Sequence, residues 1–362
     1  MKNIYCVIMA GGVGSRFWPM SREDKPKQFI DILGIGKTFI RQTYERFTPM
    51  VRDENFIVVT SSKYKSLVLE QIPELKPSQV LCEPMRRNTA PCIAYATYRI
   101  MSIDPDAVMV VTPADHLITN THKFEEVVKT SVDYADSHNS LMTIGIQPSK
   151  PETGYGYIQI DPKSTEQSHP DIYKVKTFTE KPNVDIAKVF VESGEFFWNS
   201  GIFVWNVKTI LNAINSFIPD INSLFIRGIG TYSTDKEQQF IETIYPKCEN
   251  ISIDYGVMEK ADNVNVICAD FGWSDIGTWS ALYEHSDKDE NSNSVSTKRV
   301  IFYDSKGCVV RAPDDKVVII DGLENYIVID SGDSLLITPL HKEQSIKNYV
   351  EDVRVAHSDK YL

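Results

Sequence analysis

Gly11-Gly12-Val13-Gly14-Ser15-Arg16, followed by Lys25-Pro26-Lys27, concentrates the residue types that hold anions. Glycines let the backbone reach φ > 0 and come close to a ligand. Consecutive free N–H groups in such a loop form a concave nest for phosphate oxygens. Arg16 adds a planar fork of donors and Lys27 a compact point charge. Residues 1–28 carry five basic side chains (Lys2, Arg16, Arg22, Lys25, Lys27) against Glu23 and Asp24, a local excess of three in a chain of net charge −11. That contrast points to a local anion site, not a diffuse basic face. The loop fits neither G-x-x-x-x-G-K-[ST] nor G-x-G-x-x-G, because Phe17 stands where the second pattern needs a glycine. A plain tight turn after a strand is the competing reading.

Three carboxylates stand in interesting company. Asp115 follows the hydrophobic run Ala107–Val111 through Thr112-Pro113-Ala114. An acid at the end of a buried strand would face the phosphates of the glycine loop. Two anions meet only with a cation between them, so Mg²⁺ is inferred there. A helix N-cap, or a carboxylate satisfied by backbone N–H groups, is the alternative; the neighbouring His116 reads as structural. Asp275 lies between Trp273 and Trp279, beside Gly277. It is either a second metal ligand or, with Ser274, the cap of a helix running to Glu284. Glu83 ends another strand candidate. A carboxylate only accepts hydrogen bonds, and guanine offers two adjacent donors, N1–H and the exocyclic amine. Glu83 is therefore a candidate for selecting guanine, with a salt bridge to Arg86 or Arg87 as the alternative. Asn199 can donate to and accept from a pair of hydroxyls. No Ser/His/Asp or Cys/His set is recognisable.

The elements that must position these groups alternate along the first part of the chain. Strands are expected at Ile4–Ala10, Phe56–Thr60, Gln79–Glu83, Ala107–Thr112 and Leu141–Ile146. Helices are expected at Phe39–Phe47, Lys63–Ile72, Thr89–Met101 (capped by Asn88) and Phe124–Ala135. Such alternation predicts an α/β fold: a Rossmann-like, mostly parallel sheet with helices on both faces and ligands beyond the C-terminal strand ends. Strands at Tyr157–Ile160, Tyr173–Thr179 and Gly201–Trp205 read as a mixed extension, with helices at Val184–Glu192, Val207–Phe217, Gln238–Tyr245 and Tyr255–Lys260. Residues 287–297 are polar and read as a linker. Beyond it, short β bursts recur about every nine residues from Val300 to Thr338, which predicts a small all-β domain built as a meander, barrel or solenoid. The expected division is 1–286, 287–297 and 298–362.

A length of 362 residues fits two domains, and 42% hydrophobic with 24% charged residues is ordinary for a soluble globular protein. The N-terminal apolar run is too short for a signal peptide and no run reaches the ~18 residues of a membrane span. Six scattered cysteines without a C-x-x-C pair read as reduced thiols of a cytoplasmic protein. The acidic balance argues against nucleic acid as a partner.

Gly11–Ser21, with its Trp18-Pro19-Met20-Ser21, and Pro26-Lys27-Gln28-Phe29 resemble the signature of the sugar-1-phosphate nucleotidyltransferases, in the mannose-1-phosphate guanylyltransferase branch. Thr153-Gly154-Tyr155-Gly156-Tyr157 and Phe178-Thr179-Glu180-Lys181-Pro182 are similar to further motifs of that family, although an exposed Glu–Lys pair is by itself an ordinary surface feature. Thr179 and Met20 depart from the branch without touching a proposed ligand. The resemblance implies transfer of GMP from GTP to mannose 1-phosphate, giving GDP-mannose and pyrophosphate. It implies that Gly11, Gly12 and Gly14, with Glu83, Asn88 and Thr89, hold the nucleotide. Arg16 and Lys27 would stabilise the triphosphate, Lys181 would aim the sugar phosphate, and Gly156, Glu180 and Asn199 would contact the sugar. Asp115 and Asp275 match the aspartates that hold the metal. A left-handed β-helix-like C-terminal domain and a homodimer are implied as well. The chain as given ends at Leu362, so the isomerase domain of longer relatives is not expected. Turnover of another hexose or heptose 1-phosphate, and a non-catalytic nucleotide-sugar sensor, are the alternatives. A glycosyltransferase is disfavoured because no D-x-D pair stands at a suitable strand end.

Overall fold

The computed structural model describes residues 3–165, 168–296 and 299–362. Lys2 of the basic N-terminal run, and Thr297 and Lys298 at the expected linker boundary, lie outside the described residues. The chain forms two compact units: Met1–Gly11, Thr43–Ala114 and Ile118–Trp273 make the first, and Gly12–Gln42, Asp115–Leu117 and Ser274–Leu362 the second.

The first unit is built on a nine-stranded sheet. Its order is Val80–Glu83, Phe56–Ser61, Ile4–Met9, Val108–Pro113, Phe196–Asn206, Leu141–Ile146, Val264–Ala269, Ile172–Glu180 and Gly156–Ile160. The first four run parallel. Phe196–Asn206 lies antiparallel to both of its neighbours, which makes the sheet mixed. Ile4–Met9 is apolar at every position because both faces are covered: Cys6 and Ile8 are as buried as Val7. Tyr5, Val7, Val59 and Met109 share a core with helices Thr89–Met101, Val207–Phe217 and Pro219–Phe225. The Phe196–Asn206 strand starts five residues before the expected Gly201, since Phe196, Phe197 and Trp198 also pair with Gly156–Ile160. The helix expected at Tyr255–Lys260 is a single wide turn, Asp254–Met258, headed by Asp254.

The second unit gathers the glycine loop from Gly12 onward and the C-terminal strands. Val300 pairs in parallel with Val318, and Val309 with Ile327, each eighteen residues on. The nine-residue spacing read in the sequence is therefore half a coil: successive strands belong to different sheets, and alternate strands stack as rungs, as in a solenoid. Tyr326–Asp330 then turns back against Leu335–Pro339 in an antiparallel pair. A twelve-residue helix, Ile346–His357, follows the strands. Phe17, Trp18, Phe39, Trp279, Ile327 and Ile346 share one core of this unit. Among the described residues none of the six cysteines is paired, and no helix is long and apolar enough to cross a membrane.

Candidate active site

In the second unit, Gly14 takes φ +72°, and a Cβ there would sit 2.6 Å from the Cβ of Lys27. Only glycine meets both conditions at low cost. The loop is tied from within. The Lys27 backbone N–H donates to the Val13 carbonyl at 3.2 Å, and the Gln28 side-chain amide donates to the Gly12 carbonyl at 2.9 Å. A short turn, Ser15–Phe17, carries Arg16, whose Nε is buried without a hydrogen-bond partner among the described residues.

Lys27 is nearly inaccessible. Its Nζ donates to the Asp115 carboxylate at 3.0 Å, the Asp115 carbonyl at 3.1 Å and the Asp275 carbonyl at 2.7 Å. All three donors of the ammonium are thereby used. The rings of Phe17 and Phe39 lie 5.5 and 5.0 Å from the same nitrogen. Burial pushes the Asp115 carboxyl up, but the charges of Lys27 and His116 and the Lys27 hydrogen bond outweigh it, and the group ends below its usual range. Asp275 Oδ1 accepts from the Gly277 N–H at 2.8 Å. It does not cap the following helix; Thr278 does, accepting from Ala281 N–H at 3.2 Å. The Gly14–Phe17 turn, Lys27, Asp115, His116, Asp275 and Lys347 line a cavity of about 290 Å³.

Asp115 and Asp275 are the two carboxylates that line this cavity, and they are the residues that could hold a magnesium ion. Among the described residues no three His, Cys, Asp or Glu side chains gather to complete a metal shell. Magnesium takes oxygen ligands and is commonly bound through one or two carboxylates plus substrate phosphates. The Lys27 ammonium already bridges the Asp115 carboxylate and the Asp275 carbonyl, so the two loops meet around a positive charge.

The first unit holds the other candidates in two clusters. Glu83 is buried and accepts a short hydrogen bond from the Tyr245 hydroxyl. No ion pair to Arg86 or Arg87 forms; Arg87 donates to the Pro246 carbonyl at 2.7 Å. Burial pushes the Glu83 carboxyl up to about 7, against the Tyr245 hydrogen bond and the charge of Arg86. A Cβ on Gly11 would lie 3.1 Å from Glu83 Oε2. Asn88 caps its helix as expected, accepting from Thr89 N–H at 2.9 Å. The Thr89 hydroxyl accepts from Ile253 N–H at 2.8 Å.

In the second cluster, Glu180 and Lys181 form an ion pair, and Lys181 takes the unusual φ of +46° for a non-glycine residue. Such backbone costs free energy and recurs at functional sites. A Cβ on Gly156 would lie 2.6 Å from Glu180 Oε2, so this glycine makes room for the carboxylate. The Asn199 amide donates to Asp254 Oδ1 at 2.7 Å, and its oxygen accepts from Gly201 N–H at 3.1 Å. Burial and the charge of Glu180 raise Asp254, the Asn199 hydrogen bond lowers it, and the carboxyl ends above its usual value. Sequence reasoning missed Asp254, Tyr245 and Lys347. Asp254 falls just before an expected helix, and neither of the others lies in a motif; only the long-range contacts reveal them.

Residues 5–292 match the family described as Nucleotidyl transferase, and residues 298–353 match a MannoseP isomerase/GMP-like beta-helix domain. A mannose-1-phosphate guanylyltransferase of Klebsiella pneumoniae is 37% identical over 360 residues, which is 98% of this chain and 75% of the relative. The alginate biosynthesis protein AlgA of Pseudomonas putida is 36% identical over 349 residues, covering 95% of this chain and 70% of that one. A crystal structure from Thermus thermophilus, described as a mannose-1-phosphate geranyltransferase, superposes with a TM-score of 0.87 at 30% identity. It covers 98% of this chain and 100% of that one.

Proposed function

The chain belongs to the nucleotidyl transferase family, among the relatives named mannose-1-phosphate guanylyltransferase, and from that premise we propose that it transfers GMP from GTP to mannose 1-phosphate. The observation that carries the chemistry is the cavity in which Arg16, Lys27, Asp115 and Asp275 converge. A sugar 1-phosphate is largely a dianion near neutrality, its second pKa being about 6. It needs no general base. Its oxygen forms a bond to the α-phosphorus of GTP while the bond from that phosphorus to the bridging oxygen breaks, and pyrophosphate leaves with the electron pair. Positioning and charge neutralisation supply the catalysis.

Arg16 is read as the donor to the triphosphate. Lys27 neutralises the same region and fixes the Asp115 and Asp275 loops around it. Asp115 and Asp275 would hold magnesium, which would supply charge neutralisation at phosphate oxygens. Gly11, Gly12 and Gly14, with Asn88 and Thr89, belong to the nucleotide side. Glu83 accepts the two guanine donors. Lys181 aims the sugar phosphate, and Gly156, Glu180 and Asn199 serve the sugar; Asn199 does so in part through Asp254, whose carboxylate it orients. The catalytic part is assigned to residues 1–286 and the β-helix-like part to 298–362. A homodimer is carried over from the family resemblance, and a cytoplasmic location from the scattered cysteines.

The test is pyrophosphate release with magnesium, across GTP, ATP, UTP and dTTP crossed with mannose, glucose, galactose and fucose 1-phosphates. Strong turnover for GTP with mannose 1-phosphate alone is expected. Release with another pair overturns the assignment of base or sugar, and no release with any pair overturns the enzymatic reading.

A further inference from the structure

We propose that Lys347, on the C-terminal helix, is a binding residue for the pyrophosphate end of the nucleotide in the anion cavity. The inference rests on reading that cavity as the phosphate site. Lys347 lines it together with Arg16, Lys27, Asp115 and Asp275. The charges decide what the cavity can hold. Arg16 and Lys27 offset Asp115 and Asp275, and the His116 imidazole lines the same wall. Lys27 is already committed, its ammonium satisfied by Asp115 and Asp275 oxygens. Lys347 adds a further positive charge to the lining. It is exposed at the cavity wall and has no ion pair or hydrogen bond among the described residues.

Its place is fixed from below. Ile346, the preceding residue, is fully buried in the core that contains Phe17 and Trp18, the two residues that follow Arg16. At the far end of the C-terminal segment the Trp18 indole N–H donates to the Tyr361 carbonyl at 2.8 Å. Glu343, just before the helix, accepts from Ser280 N–H at 2.8 Å. The glycine loop and the head of the C-terminal helix are therefore one packed body, and that body carries the Lys347 backbone at the cavity wall. A lysine that neither caps nor pairs with any described residue has no structural duty to explain it there.

The experiment uses the full chain. K347A, K347R and K347E are compared with wild type in the reverse reaction, reading KM for pyrophosphate with GDP-mannose saturating. Direct binding of inorganic pyrophosphate is measured by calorimetry. The loss of one charged contact is expected to raise the KM and Kd for pyrophosphate about tenfold in K347A. K347E should be worse and K347R close to wild type, with KM for mannose 1-phosphate and the thermal midpoint unchanged in all three. Equal pyrophosphate affinity in wild type and K347A, with wild type binding well, overturns the role of Lys347 and leaves the cavity reading intact. Wild type that neither binds pyrophosphate nor turns over overturns the cavity reading, and the role of Lys347 with it.

Discussion

Glu83 and Asp115 are both shielded carboxyls, yet their surroundings drive them apart. Asp115 has a lysine ammonium in contact and is held low. Glu83 is buried with a phenol as its hydrogen-bond partner and only the more distant charge of Arg86 to favour ionisation, and it stands at about 7. Its folded pKa lies above the unfolded one, so the stability it contributes is present below the unfolded value and is lost as pH rises through about 7. A shift of that size corresponds to about 3 kcal/mol. Glu83→Gln is therefore expected to unfold at a higher temperature than wild type at pH 8–9 and at the same temperature near pH 4. Parallel stability curves over that range would refute the raised carboxyl. The same variant should lose preference for GTP over dTTP and UTP; an unchanged preference would remove Glu83 from base selection. Lys27→Ala and Lys181→Ala are each expected to lose ~10²–10³ in kcat, the usual cost of one preorganised charge. Lys27→Ala should also lose stability, because it strands the Asp115 carboxylate, whereas Lys181, whose side chain is 59% exposed, should not. A loss under threefold with saturating substrates removes that lysine from the mechanism.

Among the elements, local pattern and long-range packing can be told apart. Leu141–Ile146, Phe39–Phe47, Thr89–Met101 and Val207–Phe217 form where their apolar spacing, caps and breakers place them. The helix Ile346–His357 buries Ile346, which packs with Phe17, Trp18 and Trp279. Ile346→Ala should cost about 2–5 kcal/mol of stability, the range for deleting a large buried aliphatic side chain. It should also loosen pyrophosphate binding, since Lys347 follows directly. Chemical denaturation together with reverse-reaction kinetics checks both; a cost below about 0.5 kcal/mol, the level of an ordinary surface substitution, would mean that the helix is not anchored there.

The whole molecule is divided in space differently from how it is divided along the chain. The glycine loop within Gly12–Gln42 belongs to the same compact unit as Ser274–Leu362. Val309, Ile327, Ile329, Leu336, Ile346 and Leu362 all enter the core that covers Phe17, Trp18 and Phe39. Truncation after residue 297 would expose those aromatics to water. The shortened chain is expected to lose turnover and to show fast hydrogen exchange across residues 12–42, measured by mass spectrometry. Retained activity would show that the C-terminal strands are dispensable. Chelation of magnesium is expected to abolish turnover reversibly, and full activity in excess chelator would remove the metal from the assignment.

Local sequence was enough to nominate candidate residues and to mark most of the elements that carry them. Glycine spacing, strand-end carboxylates and apolar periodicity are properties of short stretches, set by backbone sterics and side-chain types within a few residues. It was also enough to mark the family, because several short motifs occur in one order. What those residues contact became visible in three dimensions. There Lys27 turns inward onto Asp115 and Asp275, Glu83 meets a phenol instead of an arginine, Asp254 stands behind Asn199 and Lys347 reaches the anion cavity. The nine-residue rhythm likewise resolves into eighteen-residue coils. Each of these depends on contacts between residues far apart in the chain, whose geometry follows from how the cores close and not from any local pattern.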